Sequence, residues 1–260
     1  MEEARRCWEG NARAWTELAR AGYDVCRDHQ NTPAFFEMLP DVAGMCGIDI
    51  GCGEGHNTRL LAGRGARVTA VDFACKFVQA AAAEGSRGIQ YAVADALELP
   101  FADASFDFAT AFMSLMDAAQ PERALREVAR VLRPGGFLQF SIVHPCFAPP
   151  RRRVVKDSSG KPLALEVARY FDRVDGELER WIFSAAPAEA KARLPLFEIP
   201  RFHRPLSEWL NAIADAGFRV EQCVEPQADA ETAARYPTLA DTQIAPNFIL
   251  FRCRLLRFAQ

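Results

Sequence analysis

The stretch Cys46-Gly-Ile-Asp-Ile-Gly-Cys-Gly-Glu-Gly55 constrains this chain more than any other, because a short apolar run ends directly in a glycine-rich turn. A strand that stops this way feeds a helix, and an α/β sheet presents its ligand at that junction. Gly51, Gly53 and Gly55 can take backbone conformations closed to other residues and let a ligand approach the main chain closely. The helix that follows presents N–H groups free at its start. Glycines at this spacing also serve turn geometry alone, so the next residues decide. A second apolar run, Arg67-Val-Thr-Ala-Val-Asp72, ends in a carboxylate roughly twenty residues past the first glycine, where a ribose-binding acid stands. An adenosine-containing ligand is the natural candidate.

From this point strands and helices alternate. A helix is expected over His56–Gly65 and another over Ala74–Glu84, followed by strands Ile89–Val93, leading to Asp95, and Phe106–Phe112. Pro121 suits the first turn of a helix whose apolar face is Leu125, Val128, Ala129 and Leu132, and Arg133-Pro-Gly-Gly136 stops it. Phe137–Val143 reads as the fifth strand. Such alternation implies a parallel sheet covered on both faces and joined by right-handed crossovers.

The segments on either side are less regular. The chain up to about Asn31 reads as an amphipathic helical cover, with Trp8, Ala12, Trp15, Leu18 and Ala19 at three- and four-residue steps. Its tryptophans pack on the core, while Tyr23 and Arg27 are placed to reach polar parts of a ligand. Between His144 and Arg204 prolines recur and a basic run, Arg151-Arg-Arg-Val-Val-Lys156, appears. A structureless loop of that length is unusual, so this stretch reads as an inserted cap with short strands around Ala168–Phe171 and Trp181–Phe183. The basic run reads as a solvated loop. A helix over Pro205–Ala216, with Leu206, Trp209, Leu210 and Ile213 on one face, and strands Phe218–Val224 and Asn247–Cys253 follow. The division is therefore a cover over 1–45, a core over 46–143 and 205–260, and a cap over 144–204.

Half of the 260 residues are apolar, enough for a substantial core, and a formal net charge of -3 argues against a chain built to coat nucleic acid or anionic membrane. No uncharged apolar run is long enough to cross a bilayer, and the charged start lacks the apolar segment of a signal peptide, so a cytoplasmic location is expected. The eight cysteines contain no Cys-x-x-Cys pair and read as reduced small side chains, and the four histidines are scattered; no metal site is expected. Oligomeric state leaves no mark in the sequence.

The glycine turn, the acid ending the second strand, Asp95-Ala96 after the third and Arg-Pro-Gly-Gly before the fifth together resemble the class I S-adenosylmethionine-dependent methyltransferases, particularly their UbiE-like, type 11, small-molecule branch. The resemblance covers roughly Cys46 to Val143. It implies an α/β, Rossmann-like, doubly wound sheet of seven strands in the order 3-2-1-4-5-7-6, the last strand antiparallel between the fifth and sixth. More loosely, related bacterial sequences carry a His-Pro pair after the fifth strand and a His-Arg pair before the next helix, as His144-Pro145 and His203-Arg204 do here.

Carried over residue by residue, the resemblance implies S-adenosyl-L-methionine as cofactor and S-adenosyl-L-homocysteine as its product. Asp49 and the turn Gly51, Cys52, Gly53 would hold the methionine portion through carboxylate and amide groups, with Glu54 and Gly55 completing the turn. Asp72 would accept from both ribose hydroxyls, and Phe73 would lie against adenine. Asp95 would accept from the adenine amino group and the Ala96 N–H would donate to a ring nitrogen; a main-chain contact is implied near Phe112 and Met113.

Methyl transfer from a sulfonium is an in-line displacement that depends mainly on alignment, and it needs a base only for a protonated acceptor. His144 is the candidate base, with an anchoring hydrogen bond as its alternative role. Tyr170, Trp181, His203 and Asp117 are candidates for the acceptor pocket, and the acceptor expected is a small organic molecule. No Asn/Asp-Pro-Pro-Tyr/Phe motif follows the fourth strand, where Phe112-Met-Ser-Leu115 stands, which argues against methylation of nucleic-acid bases. Three other readings stay open: a nicotinamide-dependent oxidoreductase built on a related strand, turn and acid, a binding subunit without catalysis, and RNA or protein methylation through the Arg151–Lys156 run.

Overall fold

A computed structural model of the protein describes residues 2–85 and 88–256. The amphipathic N-terminus forms α1 (Glu2–Arg20), whose inward face buries Ala12, Leu18 and Ala19. A short π-helical turn, Arg27–Asn31, leads into α2 (Thr32–Met38), where Pro33 sits in the first turn and Phe35 is fully buried. Sequence periodicity missed α2, because only seven residues carry it.

The sheet begins with β1 (Cys46–Ile50), α3 (His56–Gly63), β2 (Arg67–Asp72), α4 (Cys75–Ala83), β3 (Ile89–Val93), β4 (Phe106–Phe112) and α5 (Pro121–Val131). It continues with β5 (Leu132–Val143). Here the structure corrects one expectation. Arg133–Gly136 does not separate helix from strand but forms an irregular first part of β5, because Gly135, at φ 82°, throws a bulge between the Phe106–Leu132 and Phe108–Phe137 pairs. Gly136 permits the close approach, since a Cβ there would lie 2.8 Å from the Asp107 carbonyl oxygen.

The cap is more ordered than its sequence suggests. It consists of two antiparallel hairpins, β6 (Arg151–Lys156) with β7 (Pro162–Ala168) and β8 (Val174–Trp181) with β9 (Phe197–His203), the second interrupted by α6 (Ala188–Arg193). Ala168 and Trp181 therefore end strands instead of starting them. The basic run is a strand: Arg153 pairs with Glu166 across the hairpin, while Arg152 turns inward to the Phe147 carbonyl, Asp241 and Asn247. Alternation along the strand, invisible in a run of like residues, divides their roles.

After the cap come α7 (Leu206–Asp215), β10 (Phe218–Val224), α8 (Ala230–Arg235) and β11 (Phe248–Leu255). β11 inserts antiparallel between β5 and β10, so the seven-stranded sheet reads β3-β2-β1-β4-β5-β11-β10. This is the expected order 3-2-1-4-5-7-6. The largest apolar cluster, with Ile48, Leu125, Phe140, Ile213 and Phe251, packs α5 and α7 against one face of the sheet. Phe36, Val68, Leu61 and Phe108 fill the other face.

Helix α1 is tied to both core and cap. Glu9 accepts from the Cys75 and Lys76 amides at the start of α4, and Asn11 exchanges two hydrogen bonds with the Glu198 backbone on β9, at 2.8 and 3.0 Å. Trp15 packs against Phe183 and Phe197 of the cap, both with ring centroids 4.8 Å away. No helix among the described residues is long and apolar enough to cross a membrane.

Candidate active site

A cavity of about 800 Å³ lies where the carboxyl ends of β1 to β4 meet α1 and the cap. That volume is at the large end for a small-molecule site and leaves room for two ligands side by side.

The glycine turn forms one wall. Gly51 (φ 70°), Gly53 (φ 54°) and Gly55 (φ 83°) all take the left-handed conformation. Gly51 also faces Ser114, whose Cβ would stand 2.3 Å from a Cβ added there, and the Ser114 hydroxyl donates to the Ile50 carbonyl at 2.6 Å. The turn's own donors face the protein: the Gly51 and Cys52 amides donate to the Val71 carbonyl and the Gly53 amide to Asp72. The Gly51, Cys52 and Gly53 amides, expected to reach a ligand, are instead spent within the protein, and the Cys52 carbonyl accepts from the Gly55 amide. Gly55 does not line the cavity. A Cβ there would meet Ala81 and Arg59 at 2.9 Å, so its glycine is required by packing on α4.

Carboxylates surround this turn. Asp49 lies at the end of β1, almost fully buried, and accepts from the Thr58 and Thr110 hydroxyls at 2.5 and 2.8 Å; burial pushes it up to about 6 despite these bonds. Asp72 ends β2 and accepts from the Gly53 and Ala74 amides, both at 2.9 Å, one on each oxygen. Burial raises it to about 6 as well, and each oxygen keeps further acceptor capacity. Asp95 accepts from the Leu97 amide on one oxygen only. Phe73, Ala96 and Phe112 line the cavity beside them. Met113, also on its wall, has φ 53° and spends its N–H on Ser141 of β5, so a main-chain contact there has only its carbonyl to use.

Glu54 is buried against three guanidinium groups, Arg20 at 3.2 Å, Arg27 at 3.2 Å and Arg59 at 2.8 Å. Burial acts to raise its carboxyl, but these partners outweigh it and hold it below the usual range. Arg20 also pairs with Glu84 and Arg27 with Asp28, so the three guanidinium groups of this corner face three carboxylates. Arg27 and Tyr23 both line the cavity, Arg27 held by Asp28, Glu54 and the Ala19 carbonyl. The sequence reading passed over Asp24, which lines the same corner, caps the Arg27 amide at 3.1 Å and is pushed up by burial to about 6. Its signal was an aspartate three residues before the next helical turn's first donor.

Beneath the cap the expected acceptor residues separate. Trp181 and His203 line the cavity. His203 donates from Nε2 to the Tyr170 carbonyl at 2.8 Å, which leaves Nδ1 as the ring's lone-pair nitrogen, and burial holds the imidazole below its ordinary pKa. Tyr170 does not reach the cavity; its hydroxyl accepts from the Leu206 amide at 2.9 Å, bracing the cap on α7. His144 is likewise outside. It is 2% exposed, its Nε2 donates to Glu225 at 2.7 Å, and its Nδ1 accepts from the Cys146 amide at 3.2 Å. With both nitrogens engaged it cannot take a proton from a substrate, and the anchoring role replaces the base.

Asp117 does line the cavity, on the short turn Leu115–Asp117 after β4. Asp117 is half-buried in the cavity wall, and burial and the Asp72 charge raise its carboxyl well above the usual range. Arg201 and Arg204 also line this half, Arg201 bound to Glu179 and Arg204 to the Ala119 carbonyl. Arg201 carries no sequence signal, whereas Arg204 belongs to the His203-Arg204 pair, which the sequence marks without assigning Arg204 a role.

Comparison with known proteins agrees with this geometry. Residues 48–140 match the methyltransferase domain family. Among curated relatives, O-methyltransferase cnsE of Penicillium expansum is 39% identical over 38% of this chain and 39% of its own length. The ubiquinone/menaquinone biosynthesis C-methyltransferase UbiE of Rubrivivax gelatinosus is 36% identical over 41% and 44%. The chain thus spans about two fifths of the length of the curated relatives it matches. Among solved structures, an S-adenosylmethionine dependent methyltransferase from Mesorhizobium loti superposes with a TM-score of 0.69 at 30% identity, covering 85% of this chain and 96% of that one.

Proposed function

Because the chain belongs to the class I S-adenosylmethionine-dependent methyltransferases, we propose that it moves the methyl group of that cofactor to a small organic acceptor held between the sheet and the 144–204 cap. The observation that carries the reading is the single cavity wall shared by Asp72, Asp95 and the glycine turn on one side and Trp181 and His203 on the other. The cofactor supplies an electrophilic methyl on a positively charged sulfur. The residues suit such a group: Asp72 and Asp95 have acceptor capacity left over, and Arg27 lines the cavity beside the glycine turn.

In this reading Asp72 holds the ribose hydroxyls and Asp95 the adenine amino group, while Phe73 covers the ring and Ala96 donates its N–H. Arg27 takes the carboxylate of the methionine end, and Asp49, Asp24, Tyr23 and the turn Gly51, Cys52, Gly53 lie beside its ammonium. Phe112 and Met113 form the floor. The cover over 1–45 and the cap over 144–204 exclude water and align the acceptor, which supplies most of what such a displacement requires. Where the acceptor brings a proton, His203 Nδ1 is the group available to take it, since the Tyr170 carbonyl fixes the other nitrogen as a donor.

Two of the other readings lose their support. A nicotinamide oxidoreductase is not favoured by a sheet whose seventh strand inserts antiparallel. Nucleic-acid binding rested on the Arg151–Lys156 run, in which Arg152 and Arg153 are committed to acidic partners. Calorimetric titration with S-adenosylhomocysteine, with NADH as control, tests the cofactor half; a panel of phenols, amines and carboxylic acids with methyl-labelled cofactor tests the acceptor half. Binding without any labelled product across the panel would contradict the small-acceptor reading.

A further inference from the structure

We propose that Asp117 is a charge-recognition residue that distinguishes the sulfonium methyl donor from its neutral thioether product. The proposal rests on the cofactor reading above and concerns a group to which that reading gives no part.

Asp117 sits at the junction of two cofactor subsites. Its turn starts at Ser114, which packs on Gly51 of the glycine turn, and the Asp117 amide donates to the Ser114 carbonyl at 3.0 Å. Asp117 lines the cavity, close enough to Asp72 to feel its charge. A ligand with its ribose on Asp72 and its amino-acid end on the glycine turn carries its sulfur between those two points. No hydrogen bond to the Asp117 carboxyl is made by any described residue, in contrast to Asp49 and Asp72, whose oxygens are each bonded.

The surroundings supply no countercharge. On the elements packed against this turn stand His203 and Arg204 at the end of β9, Glu122 and Arg123 at the start of α5, and His144 after β5. Asp72 and Asp49 lie along the cavity wall. His144 is committed to Glu225, His203 to Tyr170 and Arg204 to the Ala119 carbonyl. Arg123 pairs with Glu98. Of all these groups Asp72 is the one whose charge acts on Asp117, and it disfavours ionisation. An apolar, like-charged setting favours the protonated acid in the free protein.

A permanent positive charge brought to within a few ångströms reverses that balance. Binding the sulfonium then expels one proton and leaves a carboxylate opposite the cation. When the methyl has gone, the sulfur is neutral, the carboxylate has lost its partner and takes a proton back, and the product is held less tightly. The cation thus gains affinity as pH rises towards the value at which Asp117 ionises unaided, and the thioether does not.

The test is calorimetric titration of S-adenosylmethionine and S-adenosylhomocysteine into wild type and Asp117→Asn from pH 6 to pH 8, in two buffers of different ionisation enthalpy. Wild type should release protons on binding the sulfonium, at most one per site, and its donor-to-product affinity ratio should rise with pH by up to about tenfold per unit. In Asp117→Asn the ratio should be flat. Asp117→Ser, smaller and equally neutral, should give the same flat ratio and guards against a misfolded variant; neither change orphans a protein partner. A flat ratio in wild type, or an equal slope in both variants, overturns the proposal and leaves the cofactor reading intact. Failure of wild type to bind either ligand overturns the cofactor reading and this proposal with it.

Discussion

The Asp72 carboxylate and the Gly53 amide stand 2.9 Å apart, so the acid that ends the second strand also closes the glycine turn that follows the first. Replacing Asp72 by alanine should therefore act twice. Loss of two acceptor contacts to a ribose should weaken S-adenosylhomocysteine binding by at least about a hundredfold, taking roughly 1.5–3 kcal/mol for each bond to a charged group. The Gly53 and Ala74 amides lose their acceptor, but removing a buried acid that burial has raised to about 6 offsets part of that cost. A thermal melt close to wild type together with lost binding in calorimetry is the expected pair of results.

Gly51 should tolerate nothing larger. A methyl there meets the Ser114 Cβ at 2.3 Å, and φ 70° adds roughly 1–2 kcal/mol for any L-residue. Gly51→Ala should lower stability by more than about 2 kcal/mol in urea unfolding. Adding Ser114→Gly should recover the steric part and leave the conformational part, so the two changes should be non-additive.

His144 and Glu225 tie the entrance of the cap to the sheet edge. His144→Ala leaves the Cys146 amide without its acceptor and should cost about 1–3 kcal/mol of stability. Affinity for S-adenosylhomocysteine should stay within about twofold, because the ring is outside the cavity. Glu225→Gln, which still accepts from Nε2, should behave like wild type in both measurements.

Asp24 gives the pH dependence a sign. Its carboxyl ionises at about 6 in the fold against 3.8 ordinarily, so between those values the folded chain binds more protons than the unfolded one. This contribution makes stability fall as pH rises through that window. Asp24→Asn keeps an amide oxygen for the cap and removes the titration. Relative to wild type it should therefore gain on the order of 1–3 kcal/mol between pH 4 and pH 7 in urea unfolding. An unchanged difference across the window would exclude Asp24 as its source.

Most of the fold was legible because its signals are local. Strand ends at Asp72, Phe112 and Val143 follow from apolar runs, and α5 follows from Pro121 and its leucine face. What escaped depends on partners distant in sequence. The hairpins of the cap hide behind prolines and behind a run of arginines, whose strand character appears only when Arg152 and Arg153 part to opposite partners. The site divides the same way. Asp49, Asp72 and Asp95 are read from their places at strand ends, whereas His144 looks like a base until Glu225, 81 residues away, claims its Nε2. Arg201 and Asp24 join the cavity only through folding.

The central claim is that one cavity holds the cofactor over the strand ends with the acceptor beside it under the cap. A crystal structure with S-adenosylhomocysteine tests this most directly. Asp72 should lie within hydrogen-bond distance of both ribose hydroxyls and Asp95 of the adenine amino group, with the sulfur facing a remaining space bounded by Asp117, Trp181 and His203. Adenosine bound away from Asp72, or a sulfur walled off from the space under the cap, would contradict the account.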